Sequence, residues 1–95
     1  MIRIELVDMG ATAFKRDLRA MSVDIQQHAI TAFSDLKREP LPKRLRFEKL
    51  SGYRNTAIYT IHVTPNHSHK ASFELVGTTA VLRRIGTHKE IDRAP

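Results

Sequence analysis

Residues 58–76 read IYTIHVTPNHSHKASFELV, and this segment contains two extended runs separated by a loop signal. The run from Ile58 to Val63 mixes apolar and polar side chains as a buried strand does. Pro65-Asn66 marks a loop. Apolar side chains then recur at every second position through residues 71–75, which is the period of a strand. We therefore predict two antiparallel strands joined by a short connection.

The segments on either side of this pair extend the same pattern. Gly77 turns the chain again, and residues 79–85 form another strand. We expect its two faces to carry Ala80, Leu82 and Arg84 on one side and Val81, Arg83 and Ile85 on the other. Upstream, Leu45 and Phe47 alternate with charged residues and predict a strand over residues 44–48, and residues 51–55 have the composition of a turn. Short connections between these four strands favour an antiparallel meander.

The first part of the chain has mainly a helical period. Ile2, Ile4 and Leu6 alternate with charged residues and predict an opening strand. Two amphipathic helices follow, and the second is expected to begin after Ser22 as N-cap and to stop before Pro40. Its apolar stripe consists of Ile25, Ala29, Ala32, Phe33 and Leu36. The predicted fold is a single α+β domain over residues 1–95, ordered βααββββ, with an antiparallel sheet packed against two N-terminal helices.

Composition indicates the kind of partner. The 95 residues carry a formal net charge of +6 and have a pI near 10.2, which favours an anionic partner, with nucleic acid ahead of an acidic protein. There is no cysteine, so neither disulfides nor thiolate metal sites are available, as is usual in a reducing cytoplasm. No apolar run is as long as a membrane span, and we expect no membrane partner.

The side chains suited to catalysis lie in two clusters, residues 62–70 and residues 83–89. Together they hold four of the five histidines, with lysine or arginine beside them. Imidazole exchanges protons near neutral pH, and a guanidinium can bind a phosphate through two hydrogen bonds. This combination points to the binding or cleavage of a phosphodiester backbone. A zinc site built from His62, His67 and His69 is a weaker alternative, because no carboxylate or cysteine accompanies them.

The second half of the chain resembles the RelE/ParE superfamily of bacterial toxins, and within it the YafQ-like branch. The resemblance rests on the order and spacing of four segments: residues 47–54, 58–63, 72–75 and 84–88. It implies a RelE-like fold and the toxin of a type II toxin–antitoxin system, located in the cytoplasm. The implied activity is that of a ribosome-dependent mRNA endonuclease that needs no metal or other cofactor. The implied partners are a cognate antitoxin, and mRNA together with ribosomal RNA.

The resemblance also implies roles for individual residues. The family's active-site histidine falls on His62, its strand-end arginine on Arg84 and its C-terminal histidine on His88. We expect His62 and His88 to transfer protons, with His67 as an alternate, and Arg84 to clamp the phosphate. If another strand lies between those of His62 and Arg84, the loop with His67 must reach across to His88.

Two positions depart from the family pattern. The YafQ-like branch has an acidic residue where this chain has Asn66, and a histidine where it has Glu48 or Lys49. Further RNA contacts are expected from a set of polar and basic residues near the histidines. These are Arg44, Arg46, Lys49, Arg54, Asn66, Lys70 and Lys89.

Two other functions stay open at this stage. One is a non-enzymatic inhibitor of DNA gyrase like the ParE branch, against which the histidine clusters argue. The other is an inactive relative that binds only nucleic acid or an antitoxin, which the change at Asn66 keeps open.

Overall fold

A computed structural model describes residues 2–50 and 57–95. The turn predicted at residues 51–55, and Arg54 with it, lies outside the described residues. The elements are β1 (Leu6–Asp8), α1 (Thr12–Ala20), α2 (Val23–Asp35), a 3-10 turn (Lys43–Leu45), β2 (Glu48–Lys49), β3 (Ile58–His62), β4 (His69–Val76), β5 (Thr79–Thr87) and α3 (His88–Arg93). In the described ranges, no helix is long and apolar enough to cross a membrane.

The strands form one mixed sheet in the order β1-β5-β4-β3-β2. Neighbours from β2 to β5 are antiparallel, which confirms the predicted meander, and β1 pairs with β5 in parallel. Strand β4 therefore lies between β3 and β5.

The two N-terminal helices contribute to a core on one face of the sheet, which confirms the predicted α+β fold. Tyr59 stacks on Phe73 of the neighbouring strand, with ring centroids 5.6 Å apart. Phe14 of α1 meets Phe33 of α2 at 5.6 Å, edge to face. All four side chains are buried in a single apolar cluster. Because side chains alternate along a strand, the strand residues next to Tyr59 and Phe73 point to the opposite face of the sheet.

A β-bulge alters the alternation in β5. Ser72 pairs with Arg84, whereas the next residue, Phe73, pairs with Leu82, so Arg83 has no opposite residue. The predicted faces of β5 were therefore wrong beyond Leu82. The extra residue changes the phase of the strand, and Ile85 is buried in the same cluster as Leu82.

The sequence misplaced both outer strands. The opening strand begins only at Leu6, which is 62% exposed, while Ile4 is buried ahead of it. The predicted strand over residues 44–48 is mostly a 3-10 turn that follows Pro42 and ends at Arg46, whose φ is 46°. That turn carries Leu45 into the core, fully buried.

The helix ends were predicted with mixed success. Ser22 does cap α2, because its side chain accepts a hydrogen bond from the amide of Ile25. Helix α3 was not predicted, although Thr87 and Glu90 form a capping box at its start. A Thr followed three residues later by Glu is a sequence signal for a helix N-terminus.

Deletion of Arg83 tests the bulge. Without it, Arg84 would still face Ser72 and Ile85 would still face Ala71, so we expect a folded protein with a cooperative urea transition. Deletion of Val81 is the matched control, because it would move Leu82 off the core face and cost about 2–5 kcal/mol. Urea titration followed by circular dichroism measures the free energy of unfolding of the two deletion variants. Equal losses in the two deletions would contradict this register.

Candidate active site

Three histidine rings from separate elements meet on the sheet face opposite the core. His62 ends β3, His67 lies in the β3–β4 loop and His88 begins α3. The ring centroid of His62 lies 4.8 Å from that of His67 and 5.1 Å from that of His88, and both contacts are edge to face. The Nδ1 atoms of His62 and His67 are 2.9 Å apart. The rings of His62 and His88 therefore meet directly across β4, and His67 joins them through its contact with His62.

The β3–β4 loop is built to hold His67 in place. The amide of His67 donates to the carbonyl of Thr64 at 3.0 Å, which closes a turn around Pro65-Asn66. The Thr64 hydroxyl oxygen accepts the amides of Ser68 and His69 at 3.0 and 3.2 Å. His67 itself adopts a left-handed backbone with φ of 61°. Such a conformation is uncommon for a side-chain-bearing residue, and these hydrogen bonds stabilise it.

The same loop anchors His88. Its backbone amide donates to the carbonyl of Ser68 at 2.9 Å. The capping box fixes the start of α3, with the Thr87 hydroxyl accepting from the Glu90 amide at 3.2 Å. The Glu90 carboxylate in turn accepts from the Thr87 amide at 2.9 Å. His88 is thus held by the helix cap behind it and by the loop beside it.

Two further charged groups belong to the site, and sequence reasoning missed one of them, Asp92. Its carboxylate accepts a hydrogen bond from Nζ of Lys70 at 2.6 Å and lies 2.8 Å from Nδ1 of His88. Lys70 is 4% exposed. The hydrogen bond from Lys70 is the main cause that lowers the pKa of Asp92, helped by the charge of His88. The capping box and the spacing of four residues from His88 were the available signals.

His62 is uncharged at neutral pH. Its pKa is lowered to about 4, first by burial and then by the positive charges of His67, Lys70, His88 and Arg46. The contact between the two Nδ1 atoms needs one donor and one acceptor, so His62 and His67 cannot both be protonated at those atoms.

Arg84 is engaged elsewhere. Its Nε and one terminal nitrogen bind the carboxylate of Asp17 in α1 at 2.5 and 3.1 Å, and this pair raises the pKa of Arg84. The same carboxylate also accepts the amide of Ile85 at 3.3 Å. Arg84 lines a cavity of about 360 Å³ together with Asp17 and Glu90, and the three histidines do not line it. The described contacts therefore do not bring Arg84 to the histidines.

The expected RNA-binding residues occupy different settings. Arg44 pairs with Asp35 of α2, and Lys70 is buried against Asp92. The Asn66 side-chain oxygen accepts the Ser68 amide at 3.1 Å and so stabilises the loop. The rest of the set in the described ranges is exposed, namely Arg46, Lys49 and Lys89. Arg46 is the exposed cation whose charge acts on His62.

The rings of the other two histidines do not pack on these three, although His28 lines a cavity of about 130 Å³ together with His62. Nδ1 of His69 contacts the Ser68 hydroxyl at 2.7 Å, and Nε2 of His28 lies 3.7 Å from Asp24 in α2. Within residues 2–50 and 57–95, no group of three or more His, Cys, Asp or Glu side chains is placed to hold a metal ion.

Comparison with known proteins identifies the fold. No family model and no curated protein matches the chain. Solved toxin structures do match, and the chain has the RelE/YafQ-like toxin fold that the resemblance implied.

Three solved structures illustrate the likeness. A chain of the RelB–RelE antitoxin–toxin complex from Methanococcus jannaschii has a TM-score of 0.66 and 26% identity, over 96% of this chain and 100% of that one. A chain of the Escherichia coli DinJ–YafQ complex gives 0.62 and 17%, over 94% and 98%. YafQ from E. coli strain BL21(DE3) gives 0.61 and 17%, over 94% and 98%.

We expect the free energy of unfolding to fall as the pH is lowered from about 6.5 towards 4. In that window the unfolded chain binds a proton at His62, whose ordinary pKa is 6.5, while the folded chain excludes it because its pKa is about 4. His62→Gln should therefore flatten the pH dependence of stability measured by urea titration. The lowered pKa values of Asp92 and Glu90 act at the acidic end of this range and are present in both proteins.

His28→Gln is the control for this experiment, since His28 lies outside the ring cluster. It should keep the wild-type slope of stability against pH. A wild-type slope in His62→Gln as well would show that His62 is not held uncharged by the fold.

Proposed function

We propose that this protein is the toxin of a type II toxin–antitoxin pair and that it cleaves mRNA on the ribosome without a metal ion. The contact of His62 with both His67 and His88, beside the charges of Lys70 and Arg46, is the observation that carries the proposal. The RelE/YafQ-like fold supports the toxin role. The net charge of +6 suits RNA as substrate.

The reaction is an internal transfer of the phosphoryl group. The ribose 2′-oxygen attacks the adjacent phosphorus and loses its proton to a base. The bond from phosphorus to the 5′-oxygen breaks, and that oxygen takes a proton from an acid. The products are a 2′,3′-cyclic phosphate and a 5′-hydroxyl end. Two proton-transfer groups and nearby positive charge are sufficient for this chemistry.

His62 is our candidate for the base. A neutral imidazole has one nitrogen with a lone pair that can accept a proton, whereas its remaining N–H is too weak an acid to protonate the leaving oxygen. If the Nδ1–H of His62 donates to Nδ1 of His67, the lone pair on Nε2 of His62 is free for the 2′-hydroxyl. His67 then has the role of orienting the base.

His88 is our candidate for the acid. Its ring is 46% exposed and lies next to His62, so a phosphate between the two rings could receive a proton from it. In the step, the Nε2–H bond of His88 breaks as the O–H bond of the leaving 5′-hydroxyl forms. His88 becomes neutral and His62 becomes protonated, so the net charge of the pair is unchanged.

The negative charge of the pentacoordinate phosphorus needs compensation. Arg46 is exposed and lies near enough to His62 for its charge to act there, so we assign it to the phosphate. Lys70 adds positive charge from beneath, without direct contact, because it is buried. The phosphate clamp by Arg84 stays a prediction that requires its guanidinium to leave Asp17.

The proposed protein partner is an antitoxin. The complex from M. jannaschii pairs a toxin of this fold with its antitoxin. An antitoxin segment with carboxylates could lie against the basic surface near the histidines, since opposite charges favour both association and register. A cytoplasmic location follows from an activity on translating ribosomes.

The test is addition of purified protein to a bacterial cell-free translation, followed by mapping of mRNA 5′ ends. We expect new ends that appear only during translation. They should require phosphorylation before adaptor ligation, because the chemistry leaves a 5′-hydroxyl. His88→Ala should reduce their rate of formation by about 100-fold or more, which is the scale of a lost general acid.

His28→Ala is the matched control, since the ring of His28 lies at Asp24 and packs on none of the three histidines, and its removal should leave cleavage nearly unchanged. Intact mRNA with normal protein synthesis would contradict the endonuclease proposal. A DNA supercoiling assay with gyrase would then separate an inhibitor like the ParE branch from a protein that only binds.

A further inference from the structure

We infer that Asp92 is a positioning residue that fixes the ring of His88 with its proton on Nδ1, so that Nε2 is the atom presented to the substrate. This deepens the proposed function, and the orientation of the ring rests on the structure independently of catalysis. The inference starts from the two oxygens of one carboxylate. Oδ1 accepts from Nζ of Lys70 at 2.6 Å, and Oδ2 lies 2.8 Å from Nδ1 of His88.

Lys70 determines the orientation of this carboxylate. It lies on β4 directly opposite His62 on β3, and its side chain is only 5% exposed. A buried ammonium is stable only with a counter-charge, so the Asp92 carboxylate stays at Lys70. If it turned away, the Lys70 ammonium would have to move into water or remain buried without a counter-charge. With Oδ1 bound, Oδ2 is left in a fixed position beside His88.

This geometry selects the tautomer. The lowered pKa of Asp92 keeps the carboxylate ionised at neutral pH, and an ionised carboxylate can only accept hydrogen bonds. Two acceptors 2.8 Å apart would repel each other, so Nδ1 of His88 carries the proton. The backbone of His88 is fixed separately by the carbonyl of Ser68. The position of His88 is therefore fixed twice, by the hydrogen bond of its backbone amide and by the contact of its Nδ1 with Asp92.

An ordinary ion pair on a helix surface is the competing explanation. His88 and Asp92 are four residues apart on α3, and both are about half exposed, at 46% and 48%. The chain contains a natural control for that explanation. In α2, Asp24 and His28 have the same spacing, with Nε2 of His28 3.7 Å from the carboxylate of Asp24, but that pair lies outside the ring cluster.

The first readout is the tautomer itself. In ¹⁵N-labelled protein, long-range proton–nitrogen spectra distinguish Nδ1–H from Nε2–H rings, and His88→Gln assigns the His88 signals by their loss. The spectra are recorded at alkaline pH, because only the singly protonated form of a histidine ring has tautomers. There we expect a single Nδ1–H ring for His88 in the wild type and a mixture in Asp92→Asn. Asp24→Asn should leave the His88 signals unchanged. An unchanged His88 ring in Asp92→Asn would overturn the inference.

Asp92→Asn also leaves Lys70 buried without its counter-charge, so the variant could be unstable. Lys70→Met combined with Asp92→Asn removes both charges together and keeps a side chain of similar length. If the single variant does not fold, the double variant takes its place in the same spectra. The expected result is the same mixture of tautomers at His88, and an unchanged ring would again overturn the inference.

The second readout is the rate of mRNA cleavage. We expect Asp92→Asn to lower kcat by about 10-fold or more with little change in KM, as loss of an orienting partner does. In a His88→Ala background the same change should have no further effect, because there is no ring left to position. Additive losses in the double variant would contradict a role through His88. Absence of cleavage in the wild type would defeat the proposed function, while the spectra would still decide the tautomer.

Discussion

Strand β4 is hydrogen-bonded along both edges, to β3 and to β5, and its period of two sends alternate side chains into different layers. Ala71 and Phe73 enter the core against the helices. Lys70 and Ser72 face the opposite side, where the histidines meet. The apolar residues that stabilise the fold and the ammonium that holds Asp92 are therefore neighbours in sequence. A slip of one residue in this strand would exchange the two layers, so the site depends on the same register as the core.

The site concentrates positive charge, and this has a consequence for what it binds. His62 loses its proton because burial and the surrounding positive charge oppose it. Asp92 offsets part of the charge through Lys70 and His88. A bound anion would compensate the remaining positive charge. Under the proposed function, a phosphate of the RNA backbone and a carboxylate of the antitoxin would both do so, and the two would then compete for one place.

The sequence was sufficient for the parts of the fold that follow from local period and local chemistry. The order of the helices and strands, the cap at Ser22 and the loop at residues 64–68 all have local signals. The bulge at Arg83 has none, because it becomes visible only when β5 is aligned with β4. The sequence predicted that the His67 loop would have to reach across an intervening strand, whereas His62 and His88 meet directly across β4, a contact that depends on the register of three strands. Asp92 was missed, although the capping-box sequence at Thr87 and Glu90 indicates the helix that carries it.

The exchange of an acid for an amide at Asn66 bears on whether the site is complete. The resemblance to the YafQ-like branch places an acidic residue at that position, yet here the Asn66 oxygen stabilises the loop by accepting the Ser68 amide. An amide oxygen performs that task as well as a carboxylate does. The carboxylate that contacts the histidine cluster comes instead from α3, through Asp92 at His88. The negative charge that Asn66 lacks in the loop is thus present in α3, at Asp92. Under the proposed function, the change at Asn66 is therefore consistent with a different arrangement of acid, base and orienting groups.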